Sequence, residues 1–209
     1  MSSAGLGYLF WHAPPDGADR AAYEAALLAW QEALADHPPA GYHRGWTWRV
    51  ATPPWLTGWP DGAYLDGYVV AGFAALGVLN AAAPSVPLAP AHDVVARRAG
   101  YGAGALFSCR SGIAGPDPGT PDPGTPDPAT WMPAGTRALE WAATVRLSWY
   151  DKATGTSYED VLGDLSGGSR SVWLRQLVLG AGPEVLVVSR DDDVPTSGVW
   201  QASAERLAR

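Results

Sequence analysis

From residue 140 to 150 the apolar positions Trp141, Ala143, Val145, Leu147 and Trp149 alternate with Ala142, Thr144, Arg146, Ser148 and Tyr150. Successive side chains of a strand point to opposite faces, so this two-residue period predicts a strand. Residues 42–50 repeat the pattern. Tyr42, Arg44, Trp46, Trp48 and Val50 fall on one face, and His43, Gly45, Thr47 and Arg49 on the other. Shorter apolar runs predict strands at 8–12, 64–70, 101–110, 171–179 and 184–189. Gly180-Ala181-Gly182 marks a hairpin between the last two. After Asp16 and Asp19, both candidate caps, the period changes to that of a helix: Tyr23, Leu27, Trp30 and Leu34 form one apolar stripe. Pro38-Pro39 ends it. Helices are also predicted over 73–83 and 91–99, and over 158–165 from the Thr156…Glu159 capping-box spacing. The C-terminal residues Trp200, Ala204 and Leu207 share one helical face, which predicts a helix over 199–207.

The order is β-α-β-β-α-β up to residue 110 and β-α-β-β-α after it. Between the two runs, Pro116 opens three copies of a Pro-Asp-Pro-(Gly/Ala)-Thr pentapeptide. So much proline cannot bury a core and favours extended conformations. The expected organisation is a first half over 5–113, a Pro/Gly-rich linker over 114–134 and a degenerate second half over 135–209. The repeated order points to internal duplication.

A βαββαβ unit with an amphipathic first helix is the ferredoxin-like unit. Two such units in one chain resemble the dimeric α+β barrel superfamily, which includes monooxygenase-like and chlorite-dismutase-like proteins. The resemblance spans most of residues 6–208 without the linker and rests on element order. It implies an α+β fold of tandem ferredoxin-like units, as a pseudo-dimeric barrel or with sheet packed on sheet. No member family's catalytic signature is present.

Composition narrows the partners. The chain has 209 residues, 47% of them hydrophobic, and a formal net charge of -7. An acidic surface repels phosphate backbones, so no nucleic-acid partner is expected. Cys109 is the single cysteine, which excludes an internal disulfide and a cysteine-rich metal site. The uncharged stretch 67–91 is broken by Asn80, Pro84, Pro87 and Pro90, too short a smooth run for a spanning helix. No membrane partner and a cytoplasmic location are therefore expected. The Gly/Pro/Ala-rich composition suggests a bacterial source, and self-association is left open.

Candidate chemistry is sparse. The four histidines have no metal-ligand spacing, and His92-Asp93 lacks the other ligands of a metal phosphohydrolase. No metal and no cofactor are expected; haem, found in the superfamily, has no motif here. His12 and His43 could meet on adjacent strands. Gly100–Ala105 fits a dinucleotide fingerprint loosely but opens a strand, not a helix. Asp191-Asp192-Asp193 reads as an acidic turn. The polar strand faces are more informative. If apolar faces meet helices and polar faces line an interior, then His43, Arg49, Arg146 and Tyr150 would line a pocket between the halves. Arginine could hold an anion, histidine could move a proton, and tyrosine could donate a hydrogen bond. The bland alternative pairs the arginines with Asp66 and Glu184. Two functions follow: a small-organic-molecule-binding protein or cofactor-independent enzyme, or a non-enzymatic interaction module meeting its partner through Trp55, Trp59 and Trp131.

Overall fold

The computed structural model describes residues 6–111, 143–165, 170–177, 182–189 and 200–207. The linker, Trp131, Asp191, Asp192 and Asp193 lie outside the described residues. Among these residues eight strands form: β1 (Leu6–Ala13), β2 (Tyr42–Val50), β3 (Ala63–Val70), β4 (Tyr101–Ser111), β5 (Thr144–Tyr150), β6 (Ser171–Leu177), β7 (Val185–Ser189) and β8 (Trp200–Arg206). Among the described residues four helices accompany them: α1 (Arg20–Asp36), α2 (Phe73–Ala82), α3 (Ala89–Arg98) and α4 (Tyr158–Leu165). The predicted α1 stripe is the buried one, and Asp19 caps the helix by accepting from the Ala22 amide. At α4 the cap sits one residue later than expected: Ser157 and Asp160 bond reciprocally.

All strand pairs are antiparallel, and the strands close into one barrel in the order β1-β3-β2-β8-β5-β7-β6-β4. Tandem ferredoxin-like βαββαβ sheets packed face to face are therefore not what forms. The outer strands of each half pair across to the other half, β2 with β8 and β4 with β6. Those pairings consume the four edges that two separate sheets would leave open. The C-terminal helix expectation is also corrected. Residues 200–206 form β8, whose Ala202 and Ala204 alternate with Gln201, Ser203 and Glu205, so the segment suits a strand too. Backbone pairing with β2 on one side and β5 on the other decides between the two periods.

The expected roles of the two sheet faces are reversed. Trp11, Trp48, Leu65, Phe107, Leu147, Trp149, Trp173 and Leu186 share one core, filling the barrel from both halves. The opposite face carries the helices. Trp30 and Leu34 of α1, Leu79 of α2 and Leu88 pack over β1, β3 and β4, and Leu165 of α4 packs over β5, β6 and β7. An eight-stranded barrel is just wide enough for side chains to fill it, and the indoles do so. Trp55 and Trp59, the loop residues of the interaction-module alternative, are partly buried and pack against this core. Among the described residues no helix is long and apolar enough to cross a membrane.

Two outcomes are expected from this architecture. A fragment covering residues 1–113 keeps β2 and β4 as open edges and half of the core exposed, so it should not give a cooperative monomer by circular dichroism and ultracentrifugation. At Gly67 an added Cβ would run into the Trp46 indole, which lies across this position from β2. Gly67→Ala should therefore cost about 1–3 kcal/mol in denaturant titration, as overpacking does.

Candidate functional site

On the outer face of the first half, β1 presents Tyr8, Phe10 and His12 at two-residue spacing, and β3 presents Tyr64, Asp66 and Tyr68. The rings lie nearly parallel along the sheet. Tyr8 stacks beside Tyr68 at 6.1 Å, Phe10 beside His12 at 5.7 Å, and His12 beside Tyr64 at 5.7 Å between centroids. Two glycines of β4 make this possible. A Cβ at Gly102 would stand 2.9 Å from the Phe10 ring, and one at Gly104 would stand 2.8 Å from Tyr8.

Asp66 is 2% exposed and is the hub of a buried polar network. It accepts from Thr47 Oγ1 and from the Tyr68 hydroxyl, each at 2.5 Å. Trp30 Nε1 donates to Tyr68 at 2.9 Å, and Gln31 donates to Thr47 at 3.2 Å. His12, 1% exposed, lies between Asp66 and α1. Its Nδ1 is 2.7 Å from the Tyr23 hydroxyl, and its Nε2 is 3.3 Å from Asp66 Oδ1. The second contact is close enough for an ion pair, but its angles are too poor for a hydrogen bond. With the Nε2–H tautomer, which places a proton toward the carboxylate, Tyr23 donates to Nδ1. Burial first, and then the negative charge of Asp66, push the Tyr23 hydroxyl well above its ordinary pKa. Tyr68 is raised for the same two reasons, with its bond to Asp66 adding to them. These phenols are held protonated, as hydrogen-bond donors.

The network forms one wall of a cavity of about 440 Å³ between the sheet and the helices. Its other walls are Tyr8, Phe10 and Trp30, aliphatic residues of α2 and α3, and two polar side chains, Asn80 and His92. His92 meets the edge of Trp30 at 5.5 Å and stands 3.2 Å from Asp93. Ligand sites are typically concave, mostly apolar and a few hundred Å³ in volume, with a few convergent polar groups.

The four residues singled out from the sequence lie elsewhere. Arg49 grips the Glu24 carboxylate of α1 through Nε and Nη2, both at 2.6 Å, and reaches Glu205 at 3.1 Å. Its partners are thus Glu24 and Glu205, neither Asp66 nor Glu184. It borders a small groove of about 280 Å³ at the β2–β8 seam. Arg146 stands on β5 opposite Ser189 and Ser203. Tyr150 packs under α4 with Leu165 and Val172, and burial raises its hydroxyl. His43 lies beside the β2 irregularity between Tyr42 and Arg44, and burial lowers its imidazole. None of the four lines the sheet–helix cavity, and His12 meets Asp66 and Tyr23 rather than His43. Cys109 falls on β4, with its side chain outside the described residues. Among the described residues no group of three or more His, Cys, Asp or Glu could hold a metal ion.

The residues that do gather had a readable signal. His12 continues the Tyr8–Phe10 period, and Asp66 is the sole charge in 64–70, followed at two residues by Tyr68. A carboxylate in an otherwise apolar strand needs partners, and that need points to a site or a network.

Two outcomes test these interactions. Tyr68→Phe leaves Asp66 and Trp30 each short of a partner and should cost about 1–3 kcal/mol, a loss that urea titration would register. The hydrogen bond from Arg49, with a further one from Tyr64, holds the Glu24 carboxyl below its usual range against the opposing effect of burial. Its contribution is thus present above the ordinary glutamate pKa and lost as pH falls through the lower folded value. Glu24→Gln should destabilise at neutral pH by about 1 kcal/mol, since the Arg49 side chain is 42% exposed and water screens the pair. The gap between variant and wild type should close in acid; a gap that stays constant down to strongly acid pH would contradict this.

No protein-family description matches the chain, and no curated protein matches it in sequence. Among solved structures it is similar to an anthrone oxidase-like protein, with a TM-score of 0.49, 12% identity, and coverage of 100% of this chain and 94% of the other. It is also similar to a chlorite dismutase-like protein, with a TM-score of 0.49, 8% identity, and coverage of 98% and 96%.

Proposed function

We propose that the sheet–helix pocket binds a small, flat, largely apolar organic molecule and moves a proton on it through Tyr23 and His12, with Asp66 as counter-charge. One observation carries this reading. In a cavity walled mostly by rings and aliphatic side chains, the Tyr23–His12–Asp66 chain is buried in the wall. The neighbouring rings of Tyr8 and Phe10, 6.0 Å apart and tilted by 33°, offer an aromatic surface against which a flat molecule can lie.

The step balances without an oxidant. An acidic C–H or O–H of the substrate gives its proton to the Tyr23 oxygen as Tyr23 passes its own proton to His12 Nδ1. The substrate is left as an enolate or phenolate, and the imidazolium stands beside the Asp66 carboxylate. The reverse transfer to a different substrate atom gives a tautomer. Tyr23 stays neutral between transfers because its hydroxyl is held above the ordinary tyrosine range. General acid–base assistance of this kind is worth about 10²–10⁴-fold in rate.

A partner-binding module would need an apolar surface patch, and Phe73, Val78 and Val86 are exposed on α2 and the turn after it. The pocket explains more, because it accounts for a buried carboxylate, an imidazole and two phenols in one place.

Two probes test the proposal: 2-naphthol for binding, by calorimetry, and 5-nitrobenzisoxazole, whose ring C–H is removed by a base, for proton transfer. The wild type should bind the first and turn over the second with saturation. His12→Gln and Tyr23→Phe should each cut turnover by about 100-fold or more while still binding 2-naphthol. Turnover unchanged by both substitutions, or no 2-naphthol binding by the wild type, would sink the reading.

A further inference from the structure

A second cavity, of about 580 Å³, opens at one mouth of the barrel, where strands of both halves meet. Tyr8, Asn80 and Gly102 border both cavities, so β1 and β4 form the partition between them. The second one takes walls from the inner face of the barrel and, past its rim, from Tyr8, Leu76, Asn80 and Leu106 of the outer face. Trp11 and Phe107 come from the first half and Trp149 from the second, with Trp55 and Trp59 of the 51–62 loop closing over them. The indoles set one another at angles. Trp149 meets Trp11 at 5.3 Å, Trp55 at 5.5 Å and Phe107 at 6.0 Å, and Trp55 meets Trp200 edge-on at 5.3 Å. A fully collapsed barrel end would leave no such space. The rigid rings prop it open, and the small side chains of Gly102, Ala103, Gly104 and Ala105 leave one side of it bare.

Two polar features border this cavity. The Trp149 indole N–H is buried, on a residue only 1% exposed, and meets no acceptor among the described residues. A buried donor without an acceptor costs about 1–3 kcal/mol, so its persistence calls for an explanation. Arg175 lies on β6 opposite Phe107 and lines the same cavity. Its Nη1 donates to the Gly182 carbonyl at 2.6 Å, which fixes the guanidinium at the rim. The cavity thus combines aromatic walls, an indole donor and a positive charge.

We infer that the barrel mouth is a second binding site, for a small carboxylate on a flat apolar body. The rings take the body, the Trp149 N–H donates to a carboxylate oxygen, and Arg175 supplies the opposite charge. A guanidinium suits a carboxylate because both are planar and their donors and acceptors match in pairs. This site stands whether or not the Tyr23–His12–Asp66 pocket carries out proton transfer.

The test uses 2-naphthoate and its uncharged counterpart 2-naphthalenemethanol, with the full chain, by calorimetry and by indole N–H resonances in ¹H–¹⁵N spectra. Wild type should bind 2-naphthoate saturably and more tightly than the alcohol, with one indole resonance moving strongly downfield. That resonance should be the one missing in Trp149→Phe. Trp149→Phe and Arg175→Gln should each weaken 2-naphthoate by about tenfold, the equivalent of about 1.4 kcal/mol, and His12→Gln should leave this affinity as it is. Should Trp149→Phe fail to fold, Arg175→Gln and the wild-type indole shift carry the decision. The inference is overturned by equal affinity for the two probes, by 2-naphthoate binding that ignores Arg175→Gln, or by the absence of binding at millimolar concentration. It is overturned as well if His12→Gln abolishes binding while Arg175→Gln does not, since the probe then sits in the sheet–helix pocket.

Discussion

Closing eight strands into one barrel leaves an interior with room for side chains and little else, and this chain fills it with tryptophan. Trp11, Trp48, Trp149 and Trp173 come from strands of both halves. Neither half can bury its own indoles alone, so the two must share a core. The outward face then takes most polar strand positions, Arg175 of β6 being an inward one. On the side of β1, β2 and β3 it meets α1; on the side of β5, β6 and β7 it meets α4. The location of the candidate site follows from this. A polar group facing the helices can be buried without entering the indole core, and an imperfect helix–sheet fit leaves space beside it.

Asp66 shows how that layer works. A carboxylate buried to 2% exposure would be costly alone. Thr47 and Tyr68 satisfy its oxygens, Trp30 and Gln31 extend the network into α1, and His12 adds a third neighbour. The network therefore ties α1 to β1, β2 and β3 at a defined position. Such groups fix geometry because a partly satisfied network is worse than an apolar core. The same geometry aligns Tyr23, His12 and Asp66 in the cavity wall. Stability and the proposed chemistry would draw on one set of side chains, so substitutions there need a binding measurement beside any rate.

Small residues set the remaining space. Gly102 and Gly104 leave β4 bare on the outer face, where the rings of Tyr8 and Phe10 lie across it. Around the same stretch of β4 the barrel mouth stays open beside the indoles. One short glycine- and alanine-rich strand start thus borders both cavities. It opens a strand and not a helix, and its small residues keep it thin.

Much of the local structure was legible in the sequence. The two-residue alternation in β2 and β5, the α1 stripe from Tyr23 to Leu34 and the α4 start were set by spacing and capping. These depend on neighbours a few residues away, and so does the absence of metal-ligand spacing among the histidines. The faces were not legible. Alternation says that Trp46 and Trp48 lie opposite Thr47 and Arg49, but it does not say which side is the barrel interior. That is decided by curvature and closure, which depend on pairings between distant strands such as β2 with β8. The same pairings turned residues 200–206 from a plausible helix into a strand, since the backbone bonds of two neighbours outweigh a weak helical stripe. They also carried Arg49 to Glu24 and Glu205 while bringing His12, Tyr23 and Asp66 together. These three residues belong to three elements, and only their packing makes them neighbours.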